Sequence, residues 1–546
     1  MKKILLLIVL IAFSCKKESK IDAFVWTPYD ETAELAAQQS HQNPRMRYKL
    51  LYSKVFDRNA IWRPFDEALA NFTDADYNKL KPLILEKDIP TLQDAVAKGT
   101  LSYENLTKFY IYRIRKFESD SALALNAVIS LNPNAIAEAI EKDKLRKADS
   151  HPIFGMPIMI KDNIGLDGTA TTAGAIALMG NQAPDAFVVE RLKANGAIIL
   201  GKANLSEWAY YLCRGCPVGY SAVGGQTMNP YGRKIYESGG SSSGSGVSTA
   251  TNYAVAAVGT ETSGSILSPS SQNSVVGLKP TIGLLSRSGI VPISSTLDTP
   301  GPMTKSVVDN AILLDAMLGK DEADPASVSG ERFSLANHQP ENLAGKRFGV
   351  FENFYDTDTV YQKTVEKIQA AGGEIIFLNP GQTALQNFLT LLNIDMKNDL
   401  PAYLQSQASD NISVSTVADV VNFNMQDTLT RIPYGQQLFE GIVADTTSAE
   451  AFEKIKTHLH QTGIAYFENL MKDNNLDAVL SINNYHAGYA AIAKYPCLTV
   501  PMGYKTSGEP VSLTFIGRPF EEQKLLQLGA GFESLTKARK SPVKYD

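Results

Sequence analysis

Histidine is scarce in this chain. Only six occur in 546 residues, at His41, His151, His338, His458, His460 and His486. None has the H-E-x-x-H spacing of a zinc protease. Only His151 lies near a stretch of catalytic appearance, so a serine nucleophile here needs another base, and lysine is the known substitute. His458 and His460 read as a solvated helix face rather than a metal site. Cysteine is also rare, at Cys15, Cys213, Cys216 and Cys497. The C-x-x-C spacing of Cys213 and Cys216 has no second ligand pair, which argues against zinc. A basic excess is missing too. Lys and Arg number 52 against 57 Asp and Glu, a net charge of −5, which gives no support for a nucleic-acid partner. Internal repeats, low-complexity blocks and flexible interdomain linkers are absent.

The N-terminus reads as targeting rather than fold. Met1-Lys2-Lys3 is a basic start, and Ile4 to Phe13 is an apolar run of ten residues, too short to span a bilayer. Small residues at Ala12 and Ser14 precede Cys15. This resembles a bacterial lipoprotein signal, with 1–14 removed, Cys15 lipidated and a polar tether to residue 21. Ordinary secretion is the alternative. An oxidising compartment would permit a Cys213–Cys216 disulfide; two unpaired structural thiols fit the sequence equally.

Residues 22–90 read as a charged helical extension of unknown role, with Trp26 and Trp62 packing on something. Beyond it the pattern alternates. Ser102 is a good N-cap for a helix with Leu106, Phe109, Tyr110 and Ile114 on one face. Asn132-Pro133 opens another helix. An apolar extended run ends in Lys161-Asp162-Asn163, and a helix from Phe187 turns at Gly196 into a strand. Residues 346–352, 359–371 and 373–378 read as strand, helix, strand, with Tyr361, Val365 and Ile368 inward. Residues 380–472 are mainly helical, and 477–517 return to short apolar strands. The alternation argues for an α/β fold.

The chain is organised around residues 236–281. A loop of small residues, Gly239-Gly240-Ser241-Ser242-Ser243-Gly244-Ser245-Gly246, is followed by an apolar run and a second small-residue turn, Gly259-Thr260-Glu261-Thr262-Ser263-Gly264-Ser265-Ile266. Such residues cost ordering entropy. They are justified by close backbone approach to a ligand, or by N–H groups aimed at developing negative charge. Two pattern matches fail. Gly240 to Gly244 fits G-x-S-x-G, but no apolar strand leads into it. Gly196 to Lys202 fits most of a phosphate-binding loop, but Ala203 follows the lysine and 197–200 is a strand.

Several ordered stretches resemble the amidase signature family: Gly155-Met156-Pro157-Ile158-Met159-Ile160-Lys161-Asp162-Asn163, the two small-residue stretches above, and Leu297-Asp298-Thr299-Pro300-Gly301-Pro302-Met303. The resemblance implies an amidase signature domain over 91–546. It would be a large twisted mixed β-sheet covered by helices on both faces, with the helical extension before it. It also implies a Ser–cis-Ser–Lys triad: Ser265 as nucleophile, Ser241 as bridging serine after a cis bond, and Lys161 as base. The oxyanion hole would be the backbone N–H groups of Thr262, Ser263, Gly264 and Ser265. No metal or organic cofactor is implied.

The chemistry suits these types. Serine is a weak nucleophile until a base takes its proton, and lysine can do so only when neutral, which burial favours. Lys161 ends an apolar run, and Asp162 is expected to face elsewhere. Departures bear on substrate. Leu267 stands where many members carry arginine, which removes a charge used for small anionic amides. Glu261 in place of the commoner Asp, and Gly224 to Pro230, look more like bacterial peptide amidases. The expected activity is therefore an exported hydrolase of a carboxamide, either a peptide C-terminal amide or a small neutral amide. It would sit in the periplasm or be tethered to the outer membrane through a lipid on Cys15. The alternatives are a glutamyl-tRNA amidotransferase A-type subunit and a non-catalytic surface lipoprotein on the same fold.

Overall fold

The structure is a computed structural model and describes residues 24–329, 342–381 and 383–546. The expected signal segment, Cys15, the tether and His338 lie outside the described residues.

Eleven strands form one mixed sheet, and two more form a small hairpin. In chain order they are β1 (Val128–Leu131), β2 (Pro157–Lys161), β3 (Ile198–Ala203), β4 (Tyr220–Ser221), β5 (Gly225–Gln226) and β6 (Ala256–Glu261). Next come β7 (Val276–Lys279), β8 (Thr299–Thr304), β9 (Arg347–Phe351) and β10 (Glu374–Leu378). The last are β11 (Ala478–Ile482), β12 (Cys497–Tyr504) and β13 (Pro510–Ile516). The order across the large sheet is β1-β3-β2-β6-β8-β7-β12-β13-β11-β9-β10, while β4 and β5 pair apart. β2 runs parallel to both β3 and β6. β9 runs parallel to β10 and β11. The centre, from β6 through β13, is antiparallel. Helices cover both faces, the arrangement expected from the sequence.

Local signals explain the elements. Helix Tyr103–Glu118 starts where Ser102 accepts a hydrogen bond from Asn105 N, and it carries Glu104 in its first turn and Arg115 and Lys116 in its last. Those charges oppose the helix dipole at each end. The expected inner face is fully buried, but so are Ile111 and Tyr112 on the other side. The segment from residue 24 covers that second face. Tyr77 packs on Tyr112 with ring centroids 5.5 Å apart, Phe24 meets Tyr112 edge-on at 5.4 Å, and Arg58 pairs with Glu118 at 2.8 Å. Residues 24–90 thus share one apolar core with the sheet. They are less helical than expected. Before Asp74 they hold one seven-residue α-helix and three short 3₁₀ turns. Pro44 and Pro64 stand in the first turn of two of these, where the missing N–H and the ring bar a longer helix from running through them.

The helix expected at Asn132-Pro133 starts two residues later, at Ala135. The second half of the loop expected over Gly239 to Gly246 instead opens a fully buried α-helix, Ser243–Ala250. Its glycines serve packing within the chain rather than a ligand. A Cβ on Gly244 would lie 2.4 Å from Asn204 N and from Ala127 O. Among the described residues, no helix is long and apolar enough to cross a membrane.

Candidate active site

Each proposed catalytic side chain is delivered by a different element. β2 is buried along its whole length, and Lys161 is its last residue. Catalytic groups commonly sit at the carboxyl ends of parallel strands. Ser241 precedes the buried small-residue helix, and no strand leads into it. Ser265 lies in the turn between β6 and the helix Leu267–Gln272. Ser242 N donates to Ser265 O at 3.1 Å, which ties the two serine loops together. The Gly240–Ser241 peptide bond is cis, as the resemblance implies.

Lys161 is wholly buried. Its Nζ lies 2.8 Å from Ser241 Oγ, 3.1 Å from Thr260 O and 2.7 Å from Thr260 Oγ1. Thr260 Oγ1 also accepts from Asn163 Nδ2 at 3.1 Å, so both of its lone pairs are used as acceptors. A neutral amine has two N–H donors and one lone pair. Thr260 takes both donors, one on each oxygen. The lone pair is left for the hydroxyl proton of Ser241. Burial pushes the Lys161 pKa down to about 7, against the pull of Asp298 and Glu261 in the other direction. A large neutral fraction at neutral pH follows. Ser242 Oγ donates to the same Thr260 O at 3.0 Å, which holds the acceptor in place.

Asp162 faces away from Lys161, as anticipated. Its carboxylate takes Thr172 N and Oγ1 and Gly174 N, and it lies 3.7 Å from Lys202 Nζ. Lys202 is a second fully buried lysine, bound also to Ile164 O and, at 3.0 Å, Thr171 Oγ1. It supports the loop after β2.

Glu261 builds the nucleophile turn. One oxygen accepts Gly264 N at 2.6 Å, and the other accepts Ile266 N at 2.7 Å and Leu267 N at 3.0 Å. Burial raises its pKa and those donors oppose the rise. The turn requires glycine at 264, where φ is +87°. Four N–H groups were expected to form the oxyanion hole. Gly264 N–H is committed to Glu261, so that expectation narrows to Thr262, Ser263 and Ser265, whose N–H groups donate to nothing among the described residues. Ser265 is 9 % exposed. Its hydroxyl makes no hydrogen bond among the described residues, so the expected link to Ser241 is not closed here. Such bonds commonly tighten only once substrate is bound.

Leu267 is 1 % exposed and belongs to an apolar cluster with Phe351, Phe467 and Ala487. The position where relatives of the motif carry arginine is part of the core here. Cys213 and Cys216 are paired as a disulfide with Cα atoms 5.9 Å apart, while Cys497 is free and buried. Among the described residues, no group of three or more His, Cys, Asp or Glu side chains could hold a metal. Thr260, Asn163 and Asp298 were missed as site residues from sequence. Each lay inside a quoted motif, but nothing in the spacing pointed them at Lys161.

The chain matches the family model described as Amidase over residues 105–526. A probable amidase of Arabidopsis thaliana is 36% identical over 487 residues, covering 84% of this chain and 92% of that one. The peptide amidase of Stenotrophomonas maltophilia superposes with a TM-score of 0.79 at 36% identity, over 84% of this chain and 98% of that one. An amidase family protein from Bacillus anthracis superposes with a TM-score of 0.86 at 35% identity, over 90% and 99%. With the buried lysine, the paired serine loops and this match over most of its length, the chain belongs to the amidase family, hydrolases of amides.

Proposed function

We propose that the protein hydrolyses the C-terminal carboxamide of peptides through an acyl-enzyme on Ser265. The observation that carries this reading is Lys161 Nζ at 2.8 Å from Ser241 Oγ with both amine N–H groups taken by Thr260. Ser241 gives its proton to that lone pair and takes one from Ser265. Ser265 Oγ bonds to the amide carbonyl carbon, and the oxyanion meets the N–H groups of Thr262, Ser263 and Ser265. The C–N bond then breaks. The proton held on Lys161 returns through Ser241 to the leaving nitrogen, and ammonia departs. Water repeats the sequence to release the carboxylate. The apolar Leu267 supports a substrate without a small anionic group, and the likeness to a peptide amidase supports the peptide class.

Ammonia release should be measured across amidated peptides and simple aryl or alkyl amides, for the native protein and for Ser265→Ala. Turnover abolished in the variant supports the reading, and turnover that persists overturns it. Export and tethering rest on the pattern of Met1 to Cys15 alone. The intact mass of the protein from the membrane fraction tests them, since a mature chain that retains Met1 contradicts both.

A further inference from the structure

A cavity of about 250 Å³ adjoins the residues that support the catalytic groups. At one side it is lined by Thr260, which holds Lys161, by Asn163, which donates to Thr260 Oγ1, and by Thr262, which follows Glu261. Its walls are largely apolar, with Val291, Ile293 and the ring of Tyr403 among them. The volume admits one long side chain rather than a whole ligand of drug size.

Its charges are unbalanced. Arg287, Asp298, Asp324 and Asp399 all line it. Arg287 pairs with Asp324, with Nε at 2.9 Å from Oδ2 and Nη2 on Oδ1, and its Nη1 donates to Ser295 O, so its charge also reaches Asp298 and Asp399. Asp298 and Asp399 have only neutral donors. Asp298 takes Thr262 Oγ1 and the N–H groups of Ile293 and Ser294. Asp399 takes Ser295 N at 2.6 Å. Neither forms an ion pair with a described residue. One turn, 293–295, thus holds two carboxylates against the same cavity, and with Asp324 they make three carboxylates facing the single Arg287 guanidinium. Burial pushes both upward in pKa, Asp399 to about 6. Like charges withdrawn from water together are costly, and a guest cation relieves that cost. A separate observation points to a guest. Asn163 is 2 % exposed, lines this cavity, and its Oδ1 has no hydrogen-bond partner.

We infer that this cavity receives a cationic side chain, a guanidinium or an ammonium, carried on the acyl portion of the amide next to the scissile carboxamide. Asp399 provides the counter-charge and the apolar walls pack the methylene stem. The inference rests on the carboxamide reading above and narrows its substrate class.

The test compares Nα-acetyl-arginine amide with Nα-acetyl-citrulline amide, which is nearly isosteric and uncharged. In the native enzyme kcat/KM should favour arginine by about tenfold or more, chiefly through KM. In Asp399→Asn that ratio should fall at least tenfold towards unity. Asparagine keeps an acceptor for Ser295 N–H, so the turn is retained. A native ratio near one, or a ratio unmoved by Asp399→Asn, overturns the inference. Calorimetric binding of the same two amides to Ser265→Ala needs no turnover. A dissociation constant about tenfold tighter for the arginine amide supports the cavity, and equal affinities overturn it. If the native enzyme hydrolyses neither amide yet binding discriminates, the carboxamide reading fails and the cation-binding cavity stands.

Discussion

Thr260→Val removes one oxygen and almost no volume. The lost Oγ1 is the acceptor for Lys161 Nζ at 2.7 Å and for Asn163 Nδ2 at 3.1 Å. Thr260 O remains, so the neutral amine keeps one fixed N–H and loses the other. It can then rotate, and its lone pair is no longer confined to Ser241. A buried donor left without a partner costs about 1–3 kcal/mol. If that cost falls on the proton-transfer geometry, the rate drops by roughly 5- to 150-fold. The assay is the second-order rate at which a fluorophosphonate probe labels Ser265, which needs no known substrate. Thr260→Ser keeps the oxygen and should restore most of the rate. Removing the acceptor also disfavours the ammonium, so the acid limb should move to lower pH in Thr260→Val. A loss explained by protonation alone would run the other way. Wild-type labelling by Thr260→Val, or no rescue by Thr260→Ser, refutes the role given to Thr260.

Two further outcomes follow from the same network. Glu261→Gln leaves one oxygen to serve three N–H groups and turns an amide NH₂ towards the others, so labelling of Ser265 should fall at least tenfold and thermal stability should drop. Unchanged labelling would mean that the turn holds itself. Lys202→Met strands the Asp162 carboxylate in the interior, and a broken buried pair of this kind costs about 3–5 kcal/mol. Denaturant unfolding should show that loss, while the pH dependence of any remaining labelling stays as in the native protein; a shifted profile would place Lys202 in the chemistry.

Much of the fold was legible because its signals are local. Ser102 and the spacing of Leu106, Phe109 and Ile114 mark their helix without tertiary help. The unit from β9 through the helix Thr359–Ala370 to β10 reads directly from its periodicity. β2 reads as a continuous apolar run because both of its faces are buried, and Lys161 at its end is conspicuous for the same reason. The helix Ser243–Ala250 was hidden because serine and glycine have poor intrinsic helix propensity. It forms because only small residues fit between Asn204, Ala127 and its neighbours. The role of 24–90 was hidden because a covering segment is defined by what it covers. The strand order, with β8 beside β6 rather than β7, depends on long-range pairing that no local pattern encodes.

The triad positions came from motif resemblance, and the geometry brings Lys161 and Ser241 together. Its supports were harder to see. Thr260 joins Lys161 across 99 residues of sequence, and Asp298 reaches Thr262 across 36. Glu261 stood out only as a replacement for the commoner Asp. Its longer side chain is what spans to Gly264, Ile266 and Leu267.

The central claim is that an uncharged, buried Lys161 draws a proton through Ser241 from Ser265. The pH dependence of Ser265 labelling tests it most directly, in the native protein and in Lys161→Met. Burial holds the Lys161 pKa at about 7, and only the unprotonated amine accepts a proton. Labelling should therefore rise with pH through a midpoint near 7 and be lost in Lys161→Met. A flat profile between about pH 5 and 9, or labelling that survives in Lys161→Met, would contradict the account.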